Sequence, residues 1–204
     1  MHKKVISRLE VNCTYIRKGE GMKQKEFWSF IEQMAASDDP IEWAISTLAN
    51  REETDIIDFQ LHVERLLKEA FSPDVWGAAY VILGGASEDA FEHFRAWLIF
   101  QGEKVFYETL KNPDYLANYI PHYYEEEGLE PEYEEILVIS IDAYLLKYTG
   151  TTQWNEEVSA RYKELLNEKE SGKHTIEIEF NWENEEELLK HYPELSRRFA
   201  GNPL

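Results

Sequence analysis

Cysteine is almost absent: Cys13 is the one thiol in 204 residues. No intrachain disulfide can form, which fits a reducing compartment, and a cytoplasmic protein is expected. Long apolar runs are missing too. The longest stretch poor in charge, Val75 to Ser87, contains three glycines and falls short of the ~18 residues that span a bilayer. The start, Met1-His2-Lys3-Lys4-Val5-Ile6-Ser7-Arg8, carries charge where a signal peptide needs about 7–15 apolar residues. Positive charge is scarce, with 21 Lys and Arg against 40 Asp and Glu and a net charge of −19. That balance argues against a nucleic-acid partner, because a phosphate backbone is bound by clustered cations. There is no HExxH, no CxxC pair, no Walker A loop and no GxGxxG opening a helix. The histidines at 2, 62, 93, 122, 174 and 191 show no ligand spacing, so neither a metal nor a cofactor is expected. An enzyme with a recognisable motif is not expected either.

What is present is aromatic and acidic. Six Trp, 12 Tyr and 10 Phe supply anchors that a disordered acidic chain lacks, so the protein reads as one folded, mainly α domain over residues 1–204. The arm 1–21 differs from the rest, holding a net charge of +3 through Lys3, Lys4, Arg8, Arg17 and Lys18 against Glu10 and Glu20. In it Leu9, Val11, Cys13 and Tyr15 alternate with polar residues, the period of a half-buried strand. Residues 174–181 repeat the pattern with Ile176, Ile178 and Phe180. The two segments are expected to pair as a small antiparallel ribbon lying on helices. The alternative is a loose arm ahead of a start at Met22.

Helical periodicity dominates from Lys23 to Asn112. Phe27, Phe30, Ile31 and Met34 share one face. Asp38-Asp39-Pro40 opens a second helix, and Ile56 to Leu67 mark a longer third ending near Phe71-Ser72-Pro73. A helix over 73–83 should stop at Gly84-Gly85, Ser87 should cap the next, and another covers Glu103 to Lys111. Pro113 to Pro131 reads as a long loop with one helical turn. Pro131 is expected to open a strong helix running to Gly150, with Tyr144 and Tyr148 on one face. Val158, Tyr162, Leu165 and Leu166 mark another, and Asn184 with Glu187 has capping-box spacing for one short C-terminal helix.

The most informative block is PDVWGAAYVILGGASEDAFEHFRAWLIFQG, Pro73 to Gly102. Trp76-Gly77-Ala78-Ala79-Tyr80, Gly84-Gly85, Ser87, Asp89, Phe91, Phe94-Arg95, Trp97-Leu98-Ile99 and Gly102 resemble the signature of the DUF4240 family, bacterial domains of unassigned function. Phe27-Trp28 with Ile31-Glu32, and Pro113-Asp114-Tyr115-Leu116-Ala117, resemble its flanks. The likeness makes 22–117 a DUF4240-like helical core, followed by an acidic loop, helices and a C-terminal strand and helix over 118–204. Glu88 departs from the family's usual aspartate. The resemblance implies a fold and brings no activity.

Physically, the block reads as two buried helices joined by a tight turn, with Gly77, Ala78 and Ala79 admitting a close neighbour. Arg95 borders the apolar face of its helix, where a guanidinium calls for a carboxylate; Asp74, Glu88 and Asp89 are the nearby candidates. The expected role is a salt bridge between the two helices. The alternative is a ligand or partner site, small-molecule or enzymatic, around Trp76, Tyr80, Asp89, Arg95 and Trp97. Glu88 and Asp89 at the start of this helix repel an anion, so Ser87 is read as a cap. His93 between Asp89 and Trp97 reads as a surface ion pair over a packed Trp, and His62 as a satisfied flank residue.

The remaining signal is charge. Pro121 to Glu135 holds seven glutamates, and Glu177 to Glu187 holds six, with no Lys or Arg in either tract. A solvated surface is the plain reading. The functional one is docking of a basic protein partner, for which Tyr123, Tyr124, Glu125, Glu126 and Glu127 are the candidates. Neutralisation of a basic nuclease toxin is one concrete version.

Overall fold

A computed structural model describes residues 21–169, 180 and 182–204. Among these residues the chain is helical, with no strand. The ribbon expected from the N-terminal arm and residues 174–181 lies outside the described residues, Gly21 and Phe180 apart, and neither of those is in a strand. The helices are α1 Gln24–Ala35, α2 Pro40–Ala49, α3 Glu53–Glu69, α4 Pro73–Leu83, α5 Glu88–Phe100, α6 Glu103–Lys111, α7 Leu116–Tyr119, α8 Tyr123–Glu127, α9 Ile139–Thr149, α10 Glu156–Lys169, α11 Glu185–His191 and α12 Pro193–Phe199. Two 3-10 turns, Pro113–Tyr115 and Glu134–Leu137, punctuate them. None of these helices is long and apolar enough to cross a membrane.

The first six helices form where periodicity and capping place them. Phe27, Phe30, Ile31 and Met34 are fully buried on one face of α1. Asp39 accepts from the amide of Glu42 at 3.2 Å while Pro40 takes the position where no amide donor is needed. Ser72 and Ser87 cap α4 and α5 by accepting from Val75 and Ala90. Gly84 ends α4 at φ 67°, in the left-handed region, and Gly85 follows at φ 139°.

α3 is the axle, touching α1, α2, α5, α9 and α10, while α2 lies along α9. Buried apolar side chains from Met22 to Phe199 form one continuous cluster. At its centre Phe59 sits edge-on to Phe30 and tilted against Phe27.

Three expectations need correction. The stretch from Pro113 to Pro131 is not mostly loop; it holds a 3-10 turn, α7 and α8. The helix after Pro131 starts at Ile139. Tyr133 is stacked on Phe100, centroids 4.1 Å apart, and its amide bonds the His93 carbonyl, so the backbone is tied to α5 and cannot coil. The C-terminus carries two helices in place of one, because Pro193 cannot continue α11 and instead opens α12.

Candidate functional site

The Pro73–Gly102 block is first a piece of architecture. Gly77 admits the C-terminal pair of helices: a Cβ there would lie 2.5 Å from the Tyr192 hydroxyl and 3.0 Å from Leu188. That hydroxyl donates to the Asp74 carbonyl at 2.8 Å. Trp76 donates its indole N–H to the Ala86 carbonyl at 3.1 Å, closing the α4–α5 turn. Its ring stacks on Phe91, centroids 4.5 Å apart, and meets Phe180 edge-on.

Arg95 is 6 % exposed, and among the described residues its hydrogen-bond acceptors are carbonyls, not a carboxylate. This corrects the expected salt bridge to Asp74, Glu88 or Asp89. Nη1 donates to the Leu67 carbonyl at 2.8 Å and Nε to the Phe91 carbonyl at 3.2 Å. The guanidinium carbon lies 4.9 Å and 4.6 Å from the ring centroids of Phe71 and Phe91. Leu67 is in the last turn of α3. Its carbonyl lacks the usual helical partner, because the Phe71 amide bonds Lys68 instead. Arg95 therefore caps α3 from the side, placing positive charge at the negative end of the helix dipole. Burial draws its pKa down, while Glu92 and Glu88 pull it back up from a distance.

The other candidates do not converge on Arg95. Tyr80 is 41 % exposed and lines a cleft of about 230 Å³ against α11 and α12, with Gly84, Leu188 and Phe199. Asp89 is exposed in the first turn of α5. Trp97 is buried and donates to the Tyr124 hydroxyl at 3.1 Å, joining Tyr119 and Tyr124 edge-on. His93 pairs with Glu134 at 3.5 Å rather than with Asp89. His62 donates to the Met22 carbonyl at 2.9 Å, and burial lowers its pKa, so it is a satisfied flank residue.

The acidic segment divides into two populations. Glu125 is bound to Arg198 through both oxygens, at 2.9 and 2.6 Å, and Arg198 also donates to the Ala117 and Ile120 carbonyls at 2.6 and 2.7 Å. The Arg198 hydrogen bonds hold the Glu125 carboxyl below its ordinary range, against the effect of burial. Tyr124 is half-buried under the Trp97 bond. Tyr123, Glu126 and Glu127 stay exposed.

Asp114, in the segment that resembles a family flank, caps α12 across the fold. Its carboxylate accepts from the Glu194 amide at 3.0 Å and the Leu195 amide at 2.8 Å. Asp114→Ala should therefore cost about 1–2 kcal/mol, read as a lowered thermal midpoint, with Asp114→Asn recovering part of it. An unchanged midpoint in the alanine variant would show that α12 starts without this cap.

One constellation escaped sequence reasoning. Glu53, at the start of α3, accepts from the Tyr148 hydroxyl at 2.6 Å, the Tyr144 hydroxyl at 2.9 Å and Arg161 at 3.1 Å. Burial opposes ionisation of Glu53, yet the two phenols with Arg161 and Lys147 outweigh it and hold its pKa below the usual carboxylate value. Burial, then the bond to Glu53, raises the pKa of both Tyr144 and Tyr148. The carboxylate is thus fixed as acceptor and both phenols as donors, an arrangement suited to binding rather than proton transfer. The spacing of Tyr144 and Tyr148 shows a shared face, but nothing local in the sequence points to Glu53 as their acceptor. Among the described residues no group of His, Cys, Asp and Glu is placed to hold a metal ion.

No curated protein and no solved structure matches the chain. The family profile described as "Protein of unknown function (DUF4240)" matches residues 22–145, from the start of α1 into α9, further than the 22–117 core read from the motifs. The chain belongs to the DUF4240 family.

Proposed function

We propose that this protein is a cytoplasmic interaction domain that docks a basic protein through the acidic, aromatic stretch 121–138. The observation that supports this is the company its charges keep. Glu126, Glu127, Glu130, Glu132 and Glu135 are exposed and have no cationic partner among the described residues. Between and beside them Tyr123, Leu129 and Val138 are 47 %, 39 % and 48 % exposed. Charge alone serves solubility; charge interleaved with uncovered apolar side chains is suited to an interface, where the apolar groups supply affinity and the charges supply steering. Glu125 and Tyr124 hold the stretch on the fold. An immunity-like partner of a basic nuclease fits this chemistry.

The test is retention of a basic protein from a bacterial lysate on immobilised full-length chain, against a Glu126→Gln/Glu127→Gln/Glu130→Gln/Glu132→Gln variant. The wild type should hold a basic protein at low salt and release it at high salt, and the variant should hold it about tenfold less well. Equal retention by both, or no basic protein held by the wild type, refutes the proposal.

A further inference from the structure

The cleft between α9 and α10, about 410 Å³, is in the size range of small-ligand sites. Its walls come from Tyr144 and Tyr148 on α9, and from Glu157, Val158, Arg161 and Glu164 on α10. The i, i+4, i+7 spacing of Glu157, Arg161 and Glu164 puts all three on one face of α10. Arg161 is already committed, bonded to Glu53 and lying 5.3 Å from the Tyr148 ring centroid. Glu157 and Glu164 have no cationic partner among the described residues. The hydroxyls of Tyr144 and Tyr148 are likewise spent on Glu53, which fixes both rings as wall. Tyr148 remains 43 % exposed.

From this geometry we infer that the α9–α10 cleft binds an organic cation, a primary amine or guanidinium, between the Tyr148 ring and the carboxylates of Glu157 and Glu164. An anion would meet both carboxylates with Arg161 already neutralised. A neutral apolar ligand would bury them unpaired. A cation pairs with both and lies against the exposed part of the Tyr148 ring, beside the face that Arg161 covers. The site is separate from the acidic stretch 121–138 and does not depend on the proposal made for it. The same group could arrive on a free amine or on a basic peptide, so the test includes both sources.

The test is calorimetric titration of the full-length chain with spermidine, argininamide and an arginine-containing basic peptide, with glutarate as the anionic control. Saturable binding of at least one cationic probe is expected, weakened at least about tenfold in Glu157→Gln/Glu164→Gln. The Glu32→Gln/Glu103→Gln/Glu185→Gln variant removes more charge, on α1, α6 and α11, away from both the cleft and the stretch 121–138, and should leave the affinity within about twofold. Tighter binding of the peptide than of free argininamide, lost in Glu157→Gln/Glu164→Gln, would assign the cleft to a protein side chain, and tighter binding of the free amine with the same loss would assign it to a free amine; both support the cation site. No saturable binding of any cation, binding of glutarate, or equal weakening in the two charge variants overturns it. Thermal melts of each variant establish that it is folded.

Discussion

Replacing Arg95 with alanine should lower the unfolding free energy by about 3–5 kcal/mol. Three losses combine. The buried Leu67 carbonyl would be left unpaired, at about 1–3 kcal/mol. Two cation–aromatic contacts with Phe71 and Phe91 would go, each worth about 0.5–2 kcal/mol. The vacated stem would leave a cavity among Phe71, Phe91 and α3. Arg95→Met refills the stem and avoids burying a charge, so it should cost less, about 1–3 kcal/mol from the unpaired carbonyl. Urea unfolding of both variants at unchanged slope would measure this. A cost below about 1 kcal/mol for alanine would mean that α3 does not depend on Arg95 for its C-terminal cap.

Arg198→Ala should cost about 2–4 kcal/mol, because one guanidinium serves four acceptors across two segments. Its loss frees the end of α12 from α7 and α8 and leaves the Ala117 and Ile120 carbonyls unpaired. Arg198→Lys keeps the charge but cannot fork, so it should recover only part of the stability. The effect should also depend on pH. Folding lowers the pKa of Glu125, chiefly through the Arg198 hydrogen bonds. The stability that this linkage contributes is present above the ordinary glutamate value of ~4.3 and is lost as pH falls through the lowered folded value. The gap between wild type and Arg198→Ala should therefore be full at neutral pH and shrink below about pH 4. A gap that is constant with pH would place the energy in the two carbonyl bonds alone.

Local sequence signals accounted for much of the fold. Alternation of apolar residues at helical spacing, Asp39-Pro40, Ser72-Pro73, Gly84-Gly85 and Ser87 are all cues contained within a few residues, and they mark α1 to α6 closely. The acidic half was harder because its structure is decided at long range. Tyr133 reads as helical until Phe100 and the His93 carbonyl hold it elsewhere. Asp114 looks like an ordinary turn residue, yet its work is done at Glu194 and Leu195. The same limit governs the candidate site. The sequence shows that Arg95 borders an apolar face and needs an acceptor. It cannot show that the acceptor is a carbonyl left open at the end of α3. Trp76, Tyr80, Asp89, Arg95 and Trp97 are neighbours along the motif, but helical geometry sends Trp97 to Tyr124, Tyr80 to the α11–α12 side and Asp89 to solvent. Glu53 with Tyr144, Tyr148 and Arg161 joins residues 91 to 108 positions apart, which no local pattern reveals.

The division of labour proposed is that the family motif holds the fold while the acidic stretch docks a basic partner. Capture of a basic protein by Arg95→Met, measured beside wild type and the four-glutamine variant at a temperature where all three are folded, tests it most directly. The account predicts that Arg95→Met, though less stable, captures as much of the protein as wild type while the four-glutamine variant loses it. Loss of capture in Arg95→Met with the glutamine variant unaffected would contradict the account and place recognition at the motif.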